Sequence, residues 1–170
     1  MEFRELIESR YSVRAYKPDP VEDEKLQAIL NAARLAPTAC NKQPIRFVVI
    51  HTAGRQQELK RIYGAEWFAH PPIVICVCGI ASDAWVRGSD SKNHGQIDAA
   101  IAMDHLILAA ANEGLGTCWI CAFDPSAARE VLGLPDGVEP IAFTPLGYAA
   151  DSPRAKTRKC IEELVRYDRW

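Results

Sequence analysis

The sequence predicts one globular domain in which amphipathic helices alternate with short buried strands, and three observations predict it. Leu26, Ile29, Leu30 and Ala33 recur at helical spacing. Phe47-Val48-Val49-Ile50 and Ile73 to Cys78 are short apolar runs rich in β-branched residues, the pattern of buried strands. Between Ile97 and Ala111 the chain is apolar almost all round, as in a helix covered on every side. With 170 residues, 48% of them hydrophobic, such a domain can bury a core without staples.

Taken in order, Glu2 to Arg10 reads as a first helix with Phe3, Leu6 and Ile7 on one face. Pro18 and Pro20 close the segment after it, and Glu22, Asp23 and Glu24 crowd the first turn of the next helix, where negative charge suits the dipole. That helix ends at Pro37-Thr38-Ala39-Cys40-Asn41-Lys42-Gln43-Pro44, a polar loop held between two prolines before the strand at Phe47 to Ile50. Arg55 to Tyr63 is a polar surface helix. Trp67, Phe68, His70, Pro71 and Pro72 form an aromatic connection that covers the core ahead of the strand from Ile73 to Cys78. The helix from Ile97 to Ala111 would span only about 23 Å at about 1.5 Å per residue and carries Asp98 and Asp104, so it does not cross a membrane. It is a buried central helix, with room for a second subunit against it, and Gly114 and Gly116 cap its end. Thr117 to Cys121 reads as a third strand, Asp124 as the cap of a helix from Pro125 to Leu132, and Ile141 to Leu146 as a fourth strand. A last amphipathic helix runs through Ile161, Leu164 and Val165.

A formal net charge of −2 gives no basic footprint and excludes nucleic acid as a partner. Met1 to Glu8 is acidic and lacks an apolar signal core, which points to the cytoplasm. Six cysteines are present. Cys118 and Cys121 form a lone C-x-x-C. Cys76 and Cys78 lie in an apolar run whose neighbouring side chains alternate faces, which argues against their supplying the other half of a metal site. Free, mostly buried thiols in a reducing compartment is the expected state.

Three segments carry ligand-type groups. If the chain is extended after the first helix, Arg10, Ser12 and Arg14 share one side, and two guanidinium forks around a hydroxyl suit a phosphate. Thr38, Asn41 and Gln43 offer donors and acceptors fitted to the edge of a planar heterocycle. Lys156 and Arg158 again stand two apart. No Walker A, GxGxxG or nucleophile elbow is present.

The order of motifs resembles the nitroreductase family of flavin enzymes. It rests on RYSVR at 10–14, APTACNKQP at 36–44, GLGTCWICAFD at 114–124, LGLP at 132–135, PLGY at 145–148 and KTR at 156–158, which together span nearly the whole chain. The resemblance implies an α+β fold, a mixed and mostly antiparallel sheet flanked by helices, in a homodimer with two FMN molecules at the subunit interface. Carried over by position, Arg10 and Ser12 with Lys156 and Arg158 would hold the FMN phosphate, with Tyr11 in the same segment. Arg14 would sit near the pyrimidine edge. Pro37, Thr38, Ala39 and Asn41 would reach the flavin from the partner chain, with Gln43 just behind. Cys121 and Ala122 stand where many relatives have an acidic residue and a glycine facing the flavin's reactive nitrogen side. The chain also lacks a long insertion between the second strand and the buried helix, so an open substrate pocket is expected.

The implied activity is ping-pong reduction of nitroaromatics, quinones or similar electron-poor acceptors by NAD(P)H, which docks transiently. The cofactor carries the chemistry, so no side-chain acid or base is demanded. A non-catalytic FMN-binding or storage protein, or a divergent reaction such as reductive dehalogenation or flavin fragmentation, are the alternatives.

Overall fold

Strand β2 (Ile73–Ile80) is apolar at every position, and a strand with two apolar faces needs cover on both. The computed structural model, which describes all 170 residues, supplies that cover. β1 (Ile45–His51), β2, β4 (Val138–Gly147) and the two-residue β3 (Gly116–Thr117) form one sheet in the order β1-β2-β4-β3, with every neighbouring pair antiparallel. Ile73, Ile75 and Val77 face α2 (Asp23–Arg34) and α4 (Gly95–Asn112). Val74, Cys76 and Cys78 face the other way, toward Leu59 and Ile62 of α3 (Gln56–Ile62), Ala128 of α5 (Pro125–Leu132), and Phe68 and Phe143. The result is an α+β domain of three layers, helices on both faces of an antiparallel sheet. No helix is long and apolar enough to cross a membrane.

Local signals explain the ends of the elements. Asp124 caps α5, its carboxylate accepting from the amides of Ser126 and Ala127 at 2.9 and 3.0 Å, with Pro125 at the first helical position and Gly133 left-handed (φ 60°) at the end. Phe68 is fully buried and packs edge-to-face on Tyr63 and Phe143, so the aromatic connection does cover the core.

The structure corrects four expectations. Gly114 (φ 75°) does end α4, but Gly116 lies in β3 and caps nothing. Beyond Thr117 the predicted third strand keeps only an isolated bridge from Ile120 to Phe143. The last helix shrinks to the single turn of α6 (Ile161–Leu164), with Ile161 and Leu164 exposed, because no core face of the chain meets them. The first helix, α1 (Phe3–Ser9), stands where expected and buries Leu6. Among the cysteines, Cys76, Cys78 and Cys118 are buried whereas Cys40, Cys121 and Cys160 are exposed. Cys76 and Cys78, two residues apart, share a face with their sulfurs 3.6 Å apart, although no group of three or more His, Cys, Asp or Glu side chains is placed to hold a metal.

Candidate functional site

The segment after α1 is pulled against the sheet by Val13. Its side chain is buried at Gly116, where a Cβ would lie 2.6 Å from Val13 Cγ2, so only glycine permits the approach. The Val13 amide donates to the Thr117 carbonyl at 2.9 Å, and Ser12 pairs with Thr117 in a parallel bridge. With Val13 inward, alternation turns Ser12 and Arg14 outward.

The tail meets this segment through Asp151. Its carboxylate accepts from the Arg14 amide at 2.8 Å and from the Tyr11 hydroxyl at 3.2 Å, while Tyr11 also donates to the Asp151 carbonyl at 2.8 Å. Lys156 Nζ donates to the Ile7 carbonyl at 3.0 Å and to the Glu8 carbonyl, fastening the tail to the end of α1. Together these contacts enclose a cleft of about 550 Å³ lined by Arg10, Tyr11, Ser12 and Arg14 on one wall and by residues 151–152 and 154–158 on the other. Thus Arg10, Tyr11, Ser12, Arg14, Lys156 and Arg158, predicted from two distant stretches, do come together. The Arg14 guanidinium also lies 5.9 Å from the centre of the Trp67 ring. Partial desolvation and the nearby charges of Arg10 and Arg158 hold the Lys156 amine below the ordinary lysine range.

Sequence reasoning missed Asp151 and Arg154. A carboxylate has no evident place in a cationic receptor, and Asp151 acts by fixing the Arg14 backbone. Arg154 precedes Lys156 by two, the same spacing that singled out Arg158, and this was a usable signal.

The loop Pro37 to Gln43 lies elsewhere in the chain. Cys40, Asn41 and Gln43 all have left-handed backbones, with φ of 51°, 52° and 51°. The loop is held by the Ala39 amide on Asp98 (2.9 Å), by the Gln43 amide on Thr38 Oγ1 (3.0 Å), and by Gln43 Nε2 on Asn41 Oδ1 (3.1 Å). Thr38 and Gln43 border a groove of about 470 Å³ between α2 and the edge strand β1. That groove shares no lining residue with the cationic cleft. Cys121 and Ala122 are exposed, with Cys121 Sγ accepting from Trp119 Nε1 at 3.2 Å, and neither lines the cleft. One chain therefore presents the predicted groups at three separate places.

The fold is thus a helix-flanked antiparallel α+β sheet with a cationic cleft beside its β3 edge. The nitroreductase family profile matches residues 7–69 and 53–148, and the chain belongs to that family. A relative from Methanothermobacter thermautotrophicus, provisionally named an NADH dehydrogenase/NAD(P)H nitroreductase, is 30% identical over all of this chain and 88% of its own. The crystal structure of a nitroreductase family protein from Clostridium difficile 630 is similar with a TM-score of 0.90 and 38% identity, covering 100% of both chains. An FMN-dependent nitroreductase from Clostridium difficile R20291 has a TM-score of 0.84 and 25% identity over 97% of this chain and 98% of its own.

Proposed function

We propose that this family member binds FMN, takes hydride from NAD(P)H, and passes it in a second half-reaction at the same place to an electron-poor small molecule such as a nitroaromatic or a quinone. The observation that carries the reading is the cleft, in which Arg10, Ser12, Lys156 and Arg158 converge from the two ends of the chain. Guanidinium, ammonium and hydroxyl donors around one cavity are the donor set of a phosphate monoester. These four residues hold the phosphate, and Arg14 lies toward the pyrimidine edge. Bound FMN supplies the two-electron chemistry, and the chain supplies position and charge.

The loop residues Pro37, Thr38, Ala39, Asn41 and Gln43 reach the flavin of a second copy, and the backbone at Cys121 and Ala122 lies on the reactive nitrogen side of a flavin. Two observations support a homodimer. The outer face of α4 is apolar apart from Asp104 and only partly covered at Ile97, Ala100, Ile101 and Leu108. No residue of 153–170 is buried by its own chain.

The test is an absorption spectrum of the purified protein, acid release of its chromophore, and anaerobic addition of NADPH. A yellow protein that releases FMN and bleaches rapidly is the expected result. FAD, a colourless protein, or a flavin that NAD(P)H leaves oxidised would overturn the reading, the last in favour of an FMN-storing protein.

A further inference from the structure

Resting on the reading of the cleft as the FMN phosphate site, the charge inventory goes one step further. Five cations line it, Arg10, Arg14, Arg154, Lys156 and Arg158, against one carboxylate, Asp151. The Asp151 oxygens are taken by Arg14 N and Tyr11 Oη, so they neutralise no guanidinium. Arg14 serves the pyrimidine edge, and a phosphate monoester brings about −1.5 to −2 at neutral pH, which leaves roughly one positive charge uncompensated. Lys156 is tied to the carbonyls of α1 and Arg158 to the Thr157 carbonyl, whereas the Arg10 and Arg154 guanidinium groups make no hydrogen bond or ion pair. Like charges gathered without an anion repel one another, and their persistence here calls for more anion than one phosphate.

The space agrees with the charge. A cleft of about 550 Å³ lies in the size range that holds a whole small ligand, of which one phosphate is a corner. The second anion that the reaction brings at each turnover is the pyridine nucleotide. Its NADPH form differs from NADH only by a 2′-phosphate, the group a spare guanidinium recognises best.

We propose that Arg154 forms a second phosphate subsite in this cleft, beside the one that holds FMN, and that it takes the 2′-phosphate of the nucleotide, so that the enzyme prefers NADPH to NADH.

The experiment uses the protein as purified with its flavin. Adenosine 2′,5′-bisphosphate and 5′-AMP are titrated calorimetrically into wild type, Arg154→Ala and Arg154→Lys, with FMN content measured in each and the NADPH to NADH ratio of kcat/KM determined in parallel. A charge-assisted phosphate contact predicts that the bisphosphate binds wild type about tenfold or more tightly than 5′-AMP. Arg154→Ala should abolish that advantage and bring the NADPH to NADH ratio close to one, mainly through KM, and Arg154→Lys should keep part of both. Equal binding of the two nucleotides by wild type, or an advantage that survives in Arg154→Ala, overturns the proposal. Loss of FMN from Arg154→Ala overturns it too, because Arg154 would then belong to the flavin phosphate receptor. If the protein purifies colourless, the flavin reading falls, and the nucleotide titration still decides whether Arg154 selects a 2′-phosphate.

Discussion

The Asp98 carboxylate accepts a hydrogen bond from the Ala39 amide at 2.9 Å, joining the first turn of α4 to the loop that follows α2. Asp98 is 2% exposed, and its Oδ2 is buried with no partner. A buried carboxylate on an otherwise apolar helix face is costly unless a donor meets it, so this contact satisfies one of the two Asp98 oxygens and restrains a loop with three left-handed non-glycine residues, Cys40, Asn41 and Gln43. Asp98→Ala should destabilise the protein by about 1–3 kcal/mol by orphaning the Ala39 amide, and Asp98→Asn, which keeps an acceptor, by clearly less. Denaturant unfolding measures the stabilities, and hydrogen exchange at Ala39 reports the loop directly. Equal effects of Asn and Ala would show that the hydrogen bond is not what holds the loop.

A second outcome concerns the approach of Val13 to Gly116. Gly116→Ala places a methyl 2.6 Å from Val13 Cγ2 and 3.0 Å from its Cβ, which a packed wall cannot absorb. Overpacking of this kind costs about 1–3 kcal/mol. Because Ser12 and Arg14 flank Val13, the same variant should weaken FMN binding. Adding Val13→Ala in the same chain should restore part of both, since it removes the clashing methyls. Absence of any rescue would mean that the damage lies in β3 itself.

How much of this was legible depended on where the causes lie. The helical spacing of α2 and the double-faced apolar run of β2 are local, so both elements were readable to within a few residues. The convergence of Arg10, Ser12 and Arg14 was readable too, because alternation in an extended segment is a local rule. The truncation of β3 was not, since its pairing with β4 covers only Gly116 and Thr117, and residue types do not show where a partner strand ends. Neither the amphipathic spacing of α6 nor the acid in α4 reveals what stands opposite. Asp98 meets an amide 59 residues away, and Asp151 works through the backbone of Arg14, contacts that only the folded chain defines.

Arg158→Ala should weaken FMN binding by roughly ten- to a hundredfold, the usual worth of one charge-assisted phosphate contact. Cys118→Ser and Cys121→Ser should leave that affinity close to wild type, because neither thiol lines the cleft. Fluorescence titration of flavin-stripped protein measures all three. A Cys121 variant that keeps its dithionite-reducible flavin but loses turnover would identify the C-x-x-C as a redox relay.

The pH dependence of anion binding has a definite sign. Partial desolvation and the charges of Arg10 and Arg158 lower the Lys156 pKa against an opposing pull from Glu8. Between the folded and unfolded values the unfolded chain holds more protons, so stability with an empty cleft rises with pH across that window. A bound phosphate favours the ammonium form, so binding there takes up a proton and weakens as pH rises. Calorimetry of FMN binding in two buffers of different ionisation enthalpy, just below the ordinary lysine range, should show net proton uptake. Proton release, or none exchanged, would remove Lys156 from the receptor.

The last outcome tests whether each flavin site draws on two chains. Within one chain the Thr38 and Gln43 groove and the cationic cleft share no residue, which favours a site completed by a second copy. Two inactive variants are required: Arg158→Glu, which reverses a charge at the phosphate end, and Thr38→Trp, which blocks the loop edge. Unfolded together and refolded with FMN, they form about half heterodimers if association is random in a two-fold dimer. In each heterodimer one site receives both lesions and the other receives neither, so about a quarter of all sites are intact and about a quarter of wild-type NADPH oxidation should return. If loop and cleft of the same chain serve one site, every site in the mixture keeps a lesion and no activity returns. Heterodimers shown by mass spectrometry to have formed, yet inactive, would therefore make the 37–43 loop a wall of its own chain's site.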